Sequence, residues 1–436
     1  MNVEITVRIN DREVACVKNE VNSNSELVLE EETERVKDRV GQVVLESGFQ
    51  EIAEHARRPC CCGRRMENKG KRCVTVMSQS GEVVLERTRY RCRKCGAWQT
   101  PADALIRCGK HRVTRHLARQ ICQLATLEHF TRLEQLVADQ HGVHLGHDPM
   151  LRLVHDVGDA AEAERLAEAR HWREQSSQQR QWPAAEISPS RVYVSCDGIM
   201  YCTNRTEPDP QHSGQRRLIW KQMRVGCVYW QDEKERWQKR VIWGQEEDFL
   251  SFAASLYRLA CRCGYRQAEE KIFAADGGEW CWTIHQKYFA DAVGVLDWYH
   301  ASEHVWACGK VLQPEDADAW VNQALELLHD GGGEELLNWL LGQRRTLRGK
   351  KRQALDELIN YIQPRLDRTE YPDYRSRDWQ IGTGMIESTA KQLVGLRLKG
   401  PGMHWCPHGA TAITALRAQD LNGRWHSFWR NLVLNA

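Results

Sequence analysis

The chain has 436 residues, 42% of them apolar, and carries 61 Lys and Arg against 59 Asp and Glu. That length allows two to four domains with ample apolar content for packed cores. A net charge of +2 excludes a uniformly basic nucleic-acid binder, so any such affinity must come from local patches. No stretch approaches the roughly 18 consecutive apolar residues of a membrane span, and Met1 to Arg12 lacks the apolar run of a secretion signal. The chain therefore reads as soluble and cytoplasmic, with no membrane partner. In that compartment 17 cysteines read as thiols and metal ligands rather than disulfides. Cys122, Cys196 and Cys227 lie in apolar runs and read as inert core residues. Tryptophan, also present 17 times, suits stacking surfaces as well as cores.

Residues 1–55 divide into two pieces. Ile5, Val7 and Ile9 alternate with polar residues, so Val3 to Lys18 predicts a hairpin turning at Asn10-Asp11. Glu20 to Glu54 is acidic and helix-prone, the pattern of a solvated amphipathic helix. Then the sign reverses. Arg57 to Arg119 holds 17 Lys and Arg against 4 Asp and Glu, a net of 17 − 4 = +13. Such a block is the electrostatic footprint of a protein that neutralises phosphates and releases their counterions. Arg64, Arg65, Lys71, Arg72, Arg91 and Lys94 are its candidate DNA contacts.

The cysteines of residues 56–101 lie inside this block. Cys60-Cys61-Cys62-Gly63 is followed by Cys92-Arg93-Lys94-Cys95-Gly96, and between them Val74 to Met77 and Glu82 to Arg91 alternate like two strands around Ser80-Gly81. Two knuckles joined by a hairpin predict a zinc-ribbon-like unit with four thiolates around one Zn²⁺. Cys92 and Cys95 form a regular C-x-x-C. The first knuckle is irregular: Cys60 with Cys62 is the preferred pair, with Cys61 and Cys73 as alternatives.

Residues 102–182 read as helical. Leu117, Ile121 and Leu124, then Phe130, Leu133 and Val137, recur at helical spacing; Gly142-Val143 breaks the pattern and Pro149 to Val157 resumes it. Helix, glycine turn, helix is the outline of a helix-turn-helix DNA-binding unit. Ala160 to Gln181 predicts a further polar helix, and Gln175 to Gln181 with Trp182-Pro183 a linker.

A core is expected over 190–301. Val192-Tyr193-Val194-Ser195-Cys196-Asp197-Gly198 reads as a buried strand closing on a carboxylate. Asn204 to Gln215 reads as a polar loop. Trp220 to Trp230 and Arg236 to Trp243 read as a hairpin, Phe249 to Cys261 as a helix and Ile272 to Asp276 as a strand. Trp280 to Phe289 follows as a helix, and Ala292 to Trp298 as a strand leading into Tyr299-His300. Three antiparallel strands followed by two parallel ones linked by helices is the ribonuclease H-like α/β plan, with one carboxylate midway along the first strand and one ending the fourth. Asp197 and Asp276 fall there. Residues 302–384 show only helical patterns, broken at Gly331-Gly332-Gly333 and Pro364, and read as an all-helical insertion. Residues 385–436 open on the last core helix, with Glu387 and Lys391 four apart on one stripe.

Three carboxylates converging in such a fold can share two divalent cations, and hard oxygen ligands suit Mg²⁺ or Mn²⁺. At these residues the sequence resembles bacterial insertion-sequence transposases of the Kra type, in the Mutator-like superfamily with a DDE site. The matching motifs are Cys196-Asp197-Gly198, Ala275-Asp276-Gly277-Gly278-Glu279-Trp280, Asp297-Trp298-Tyr299-His300 and Gly384-Met385-Ile386-Glu387-Ser388, continuing through Lys391, Arg397-Leu398-Lys399 and Gly402-Met403-His404-Trp405. The resemblance covers roughly Pro101 to the C-terminus and, more loosely, the cysteine block. It implies a transposase that binds the terminal inverted repeats of its own element, as a homo-oligomer (a dimer) on double-stranded DNA at the nucleoid, and cleaves and joins strands. It implies Asp197, Asp276 and Glu387 as ligands of two Mg²⁺ or Mn²⁺, and a supporting Asp297-x-x-His300 in which Asp297 orients a catalytic His300. Lys391, Arg397 and Lys399 become further DNA contacts. A ribonuclease H-like nuclease that hydrolyses without joining, and a domesticated DNA-binding protein, are the rival expectations.

Overall fold

The computed structural model describes residues 2–9, 11–20, 25–175, 181–245 and 249–434. Asn10 of the expected turn and 176–180 of the expected linker lie outside them. The chain divides into two compact units, 1–161 with 425–436, and 162–424.

In the first unit β1 (Asn2–Ile9) and β2 (Arg12–Glu20) pair antiparallel, and α1 (Glu26–His55) begins at Ser25, whose side chain accepts from Val28 N. Short strands β3 (Cys60–Cys61) and β4 (Arg64–Arg65) precede the hairpin of β5 (Glu67–Ser78) and β6 (Gly81–Arg91), to which β7 (Trp98–Gln99) adds a third strand. Ala53 of α1 joins Val76, Val83, Leu85, Ala102 and Ile106 in one buried cluster, so the hairpin has an apolar core of its own. After α2 (Pro101–Ile106), α3 (Arg115–Ala125) starts at the Thr114 cap and α4 (Phe130–His141) ends at Gly142, whose φ of 61° supplies the left-handed turn.

One expectation changes here. Pro149 to Val157 and Ala160 to Gln181 are not separate helices; α5 (His147–Glu174) is continuous. Gly158 costs about 1 kcal/mol in mid-helix. The apolar stripe of Met150, Leu153, Val154, Val157, Ala161, Ala169 and Trp172 is buried along the whole length and outweighs that cost.

The second unit is built on a five-stranded mixed sheet. β8 (Arg191–Pro208), β9 (Arg216–Gln231) and β10 (Trp237–Gln245) pair antiparallel. After α6 (Phe249–Arg262), β11 (Glu270–Ala275) pairs parallel with β8; after α7 (Glu279–Tyr288), β12 (Val293–Leu296) pairs parallel with β11. The order across the sheet is β10-β9-β8-β11-β12. Strand β8 does not close on Asp197 but runs eleven residues beyond it, taking in part of the expected Asn204 to Gln215 loop. Its partner β9 is long enough to pair with it out to Pro208. At the centre Gly226 leaves room for Leu256 and Ile242; an added methyl would sit 2.9 and 3.0 Å from their side chains. Gly226→Ala is therefore expected to lower stability by about 1–3 kcal/mol, measured by denaturant unfolding.

Helices then follow: α8 (Trp298–Leu312), α9 (Asp318–Arg344), α10 (Gly349–Ile362), a 3₁₀ turn over Gln363–Arg368 and α11 (Tyr371–Ser376). The three glycines do not end α9. They kink it at Gly332 (φ 75°, ψ −174°), beside which Gly333 N donates to Thr369 O at 3.1 Å. Helix α12 (Gly384–Ala390), a π-helical turn over Lys391–Gly395 and the short α13 (Leu396–Leu398) lead to α14 (Pro407–Leu421). The chain closes on α15 (Trp425–Asn431), which belongs to the first unit.

Candidate active site

The parallel register brings three aspartates to one level. Ala274 pairs with Ser195 and Ala275 with Leu296. Two places past the first pair come Asp276 and Asp197, and one place past the second come Asp276 and Asp297. The ladder reaches that level, since Asp297 N donates to Ala275 O at 2.9 Å. All three carboxylates thus stand at the end of the parallel strands where α7 and α8 begin, and both helices offer the positive end of their dipoles there.

Each is held differently. Asp197 Oδ1 accepts from Gly198 N at 2.6 Å. Burial raises its pKa; the Gly198 amide opposes this, and the nearby charges of Asp276 and Glu387 add to it. Asp276 Oδ1 accepts from Gly278 N at 2.9 Å, in the turn that starts α7. Asp297 is fully buried and caps α8 through His300 N at 2.7 Å; its Oδ2 also accepts from Thr383 N and Thr383 Oγ1. Burial pushes its pKa up, but His300 and Thr383 outweigh burial and hold it below the usual range. His300 Nδ1 lies 3.4 Å from Asp297 Oδ1, which with burial opposing drives the imidazole up to about 9. It is charged at neutral pH.

Glu387 arrives on α12. Ile386, Ala390 and Leu393 bury the inner face, and Lys239 of β10 ties the helix down through Thr389 Oγ1 (3.1 Å) and Gln392 Oε1 (2.9 Å). Thr383 Oγ1 is within reach of both Asp297 and Glu387 Oε1, the latter at 3.0 Å; with a single proton it donates to one at a time. Asp297, His300 and Glu387 place donor atoms within 4.8 Å of one another, whereas the expected set of Asp197, Asp276 and Glu387 forms no such group among the described residues. Thr383 was not among the expected site residues, although a threonine just before a helix is a cap signal; here its side chain serves the two carboxylates instead.

In the first unit, Cys61, Cys62, Cys92 and Cys95 bring their sulfurs within 4.8 Å. Cys61 Sγ is 3.3 Å from Cys95 and 3.7 Å from Cys62. Cys60, expected as a partner of Cys62, lies outside this group, as does Cys73. Adjacent residues of a strand face opposite ways, so β3 can send only one of Cys60 and Cys61 inward. Cys62 then returns through a left-handed turn (φ 52°). Amides of Cys95 and Lys94 aimed at Cys92 lower its thiol to about 7, whereas Cys95, Cys62 and Cys92 around Cys61 push that thiol up to about 12.

Of the basic residues expected at DNA, Arg64, Arg65, Lys71, Arg72, Arg91, Lys94, Lys391 and Lys399 are exposed, with Lys71 paired to Glu86 at 3.1 Å. Arg397 is corrected. It is 2% exposed, with its guanidinium 4.7 Å over the Trp405 ring, and so packs inside rather than meeting DNA. Its neighbours Leu396 and Lys399 take the outward positions of the same turn.

Among the described residues no helix is long and apolar enough to cross a membrane. No family model and no curated protein matches this chain. Among solved structures, the Drosophila P element transposase strand transfer complex aligns at 9% identity over 72% of this chain and 80% of that one, with a TM-score of 0.23. That likeness is too slight to establish a shared fold.

Proposed function

We propose that this chain is a DDE-type DNA transposase with a ribonuclease H-like core, which cleaves the ends of its own element and joins them to a target. The observation that carries the reading is the alignment of Asp197 and Asp276 on adjacent parallel strands, with Glu387 close enough to raise the Asp197 carboxyl further. A carboxylate raised by burial and by neighbouring negative charge marks a site that is destabilised when empty and favours a cation. The donors are all oxygen, which fits Mg²⁺ or Mn²⁺, two per site, on Asp197, Asp276 and Glu387. Bound there, such ions supply Lewis-acid charge to a scissile phosphodiester.

The protein's own groups do the remaining work. Asp297 holds His300 charged and fixes the start of α8. Charged His300 can donate to a developing oxyanion on the leaving 3′-oxygen. Thr383 ties the Glu387 helix to Asp297, so the sheet and α12 keep one geometry. His300→Ala is expected to leave DNA binding unchanged and slow strand cleavage by about 10²–10³ in single-turnover assays.

In the first unit the four thiols suit one structural Zn²⁺. Four sulfurs at about 2.3 Å from zinc lie roughly 3.8 Å apart, close to the separations seen. The exposed arginines and lysines of the β3–β6 region then present a basic face to DNA, and α3 with α4 forms the helix-turn-helix-like part.

The test uses the DNA beside the gene. Inverted repeats found there, supplied as labelled duplexes with Mg²⁺ or Mn²⁺, should be cut and joined to a target. Cutting without joined product makes the chain a nuclease; binding without either makes it a DNA-binding protein.

A further inference from the structure

The helical stretch between β12 and α12 sends two residues to the Asp276 turn. Arg365 Nη2 donates to Gly277 O at 2.9 Å, and Nη1 donates to Tyr361 O at 2.7 Å. Its guanidinium lies 4.6 Å over the Tyr361 ring. That ring stacks on His304 of α8 at 3.7 Å and 22°. Gly277 makes the approach possible, since a methyl there would sit 2.8 Å from Tyr361 Cε2. Arg365 is thus clamped from two sides beside the residue that follows Asp276.

What it lacks is an anion. Among the described residues no carboxylate pairs with Arg365, and its Nε is buried without a hydrogen-bond partner. A guanidinium has five N–H groups, and two are used. A half-buried arginine next to an acidic cluster would ordinarily be drawn into an ion pair, since truly unpaired buried charge is costly. Here its two hydrogen bonds go to carbonyls instead. Asp276 and Asp297 are nevertheless near enough to act on the Tyr361 hydroxyl, which burial first of all pushes up to about 12. His304, the other neighbour, is kept on the neutral side by burial and then by Arg365, so it supplies no counter-charge.

From this arrangement we infer that Arg365 is a phosphate-binding residue of the carboxylate site, holding a non-bridging oxygen of a nucleic-acid strand, with Tyr361 positioning it. A planar fork with unused donors suits an oxyanion better than a point charge would. The inference rests on the proposed DNA-processing role, but its test does not depend on catalysis.

The full chain is titrated with a fluorescein-labelled mixed-sequence DNA duplex in EDTA over a range of salt, reading anisotropy, for wild type, Arg365→Gln and Arg365→Lys. Losing one phosphate contact lowers the slope of log affinity against log salt by about 0.9, equivalent to about fivefold weaker binding at 0.15 M salt. Arg365→Gln should show that loss, and Arg365→Lys, which keeps the charge, should recover most of the slope. A strut that only holds Gly277 and Tyr361 predicts the reverse: both variants melt earlier and neither changes the slope. Unchanged slope and affinity in Arg365→Gln overturn the inference, whether or not wild type cuts DNA. A reduced slope in a chain whose wild type never cuts or joins DNA upholds the inference while removing the transposase reading.

Discussion

Asp276→Asn, and equally Asp197→Asn, should reduce strand cleavage on the order of 10³-fold or more. Lewis-acid stabilisation of a phosphodiester transition state is worth several kcal/mol, and each 1.36 kcal/mol is about tenfold in rate. Binding of end DNA should hold, because the basic block of residues 57–119 is untouched. The stability effect has the opposite sign. The Asp197 carboxyl is raised by burial and by Asp276 and Glu387, with the Gly198 amide and His300 opposing in part, so in metal-free buffer the native site carries a net strain against that charge. Asparagine keeps an acceptor for Gly198 N and removes that charge. Asp197→Asn should therefore melt roughly 1–3 °C higher in EDTA while cleaving almost nothing. Cleavage near the wild-type rate would remove Asp197 from the chemistry. Asp297→Ala should behave differently from both. It strips the cap of α8 and leaves Thr383 N without its acceptor inside the core, so activity and melting temperature fall together.

Replacing Cys92 and Cys95 with serine should have the largest effect in the first unit. Metal analysis of the wild-type chain is expected to give about one zinc, and of the double variant none. Structural zinc contributes an apparent binding energy of about 10–16 kcal/mol in zinc-finger peptides, as much as a whole domain's stability. The damage should nevertheless stay local. Val76, Val83 and Leu85 pack against Ala53, Ala102 and Ile106, away from the thiols. Proteolysis should therefore open the knuckles over 57–66 and 91–99 and spare the hairpin body. A wild-type chain that carries no zinc, or a variant as protease-resistant as wild type, would sink the zinc assignment.

The regular elements of the sheet were legible because their signal is local. Lys271 to Asp276 and Ala292 to Trp298 are apolar runs bounded by turn residues, and β11 and β12 form there. Helix α3 begins where Thr114 can cap it, and α4 ends where Gly142 can turn left-handed. What escaped were effects that depend on register or on distant partners. Neighbouring cysteines cannot be ranked without knowing which side of β3 faces the second knuckle. Gly158 and Gly332 look alike as breakers, yet one is carried by a buried stripe and the other kinks its helix against Thr369. Arg397 resembles any surface cation until Trp405 is seen beneath it. Thr383 carried only a cap signal, and Tyr361 and Arg365 none, because each reaches the site through tertiary contacts: Thr383 bonds Asp297 across 86 residues, and Arg365 bonds Gly277 across 88.

The separation of Asp197 from Glu387 by 387 − 197 = 190 positions also bears on how the protein is made. At about 5–20 residues per second, a ribosome needs roughly 10–40 s to travel from one to the other. Throughout that interval the basic block of residues 57–119 is already outside or emerging, Asp276 and Asp297 are added on the way, and Glu387 does not yet exist. On the proposed reading, a growing chain can therefore hold DNA before it can cut it. A polypeptide that stops ahead of Gly384 would occupy the element's ends without breaking them, and so act as an antagonist of the finished enzyme.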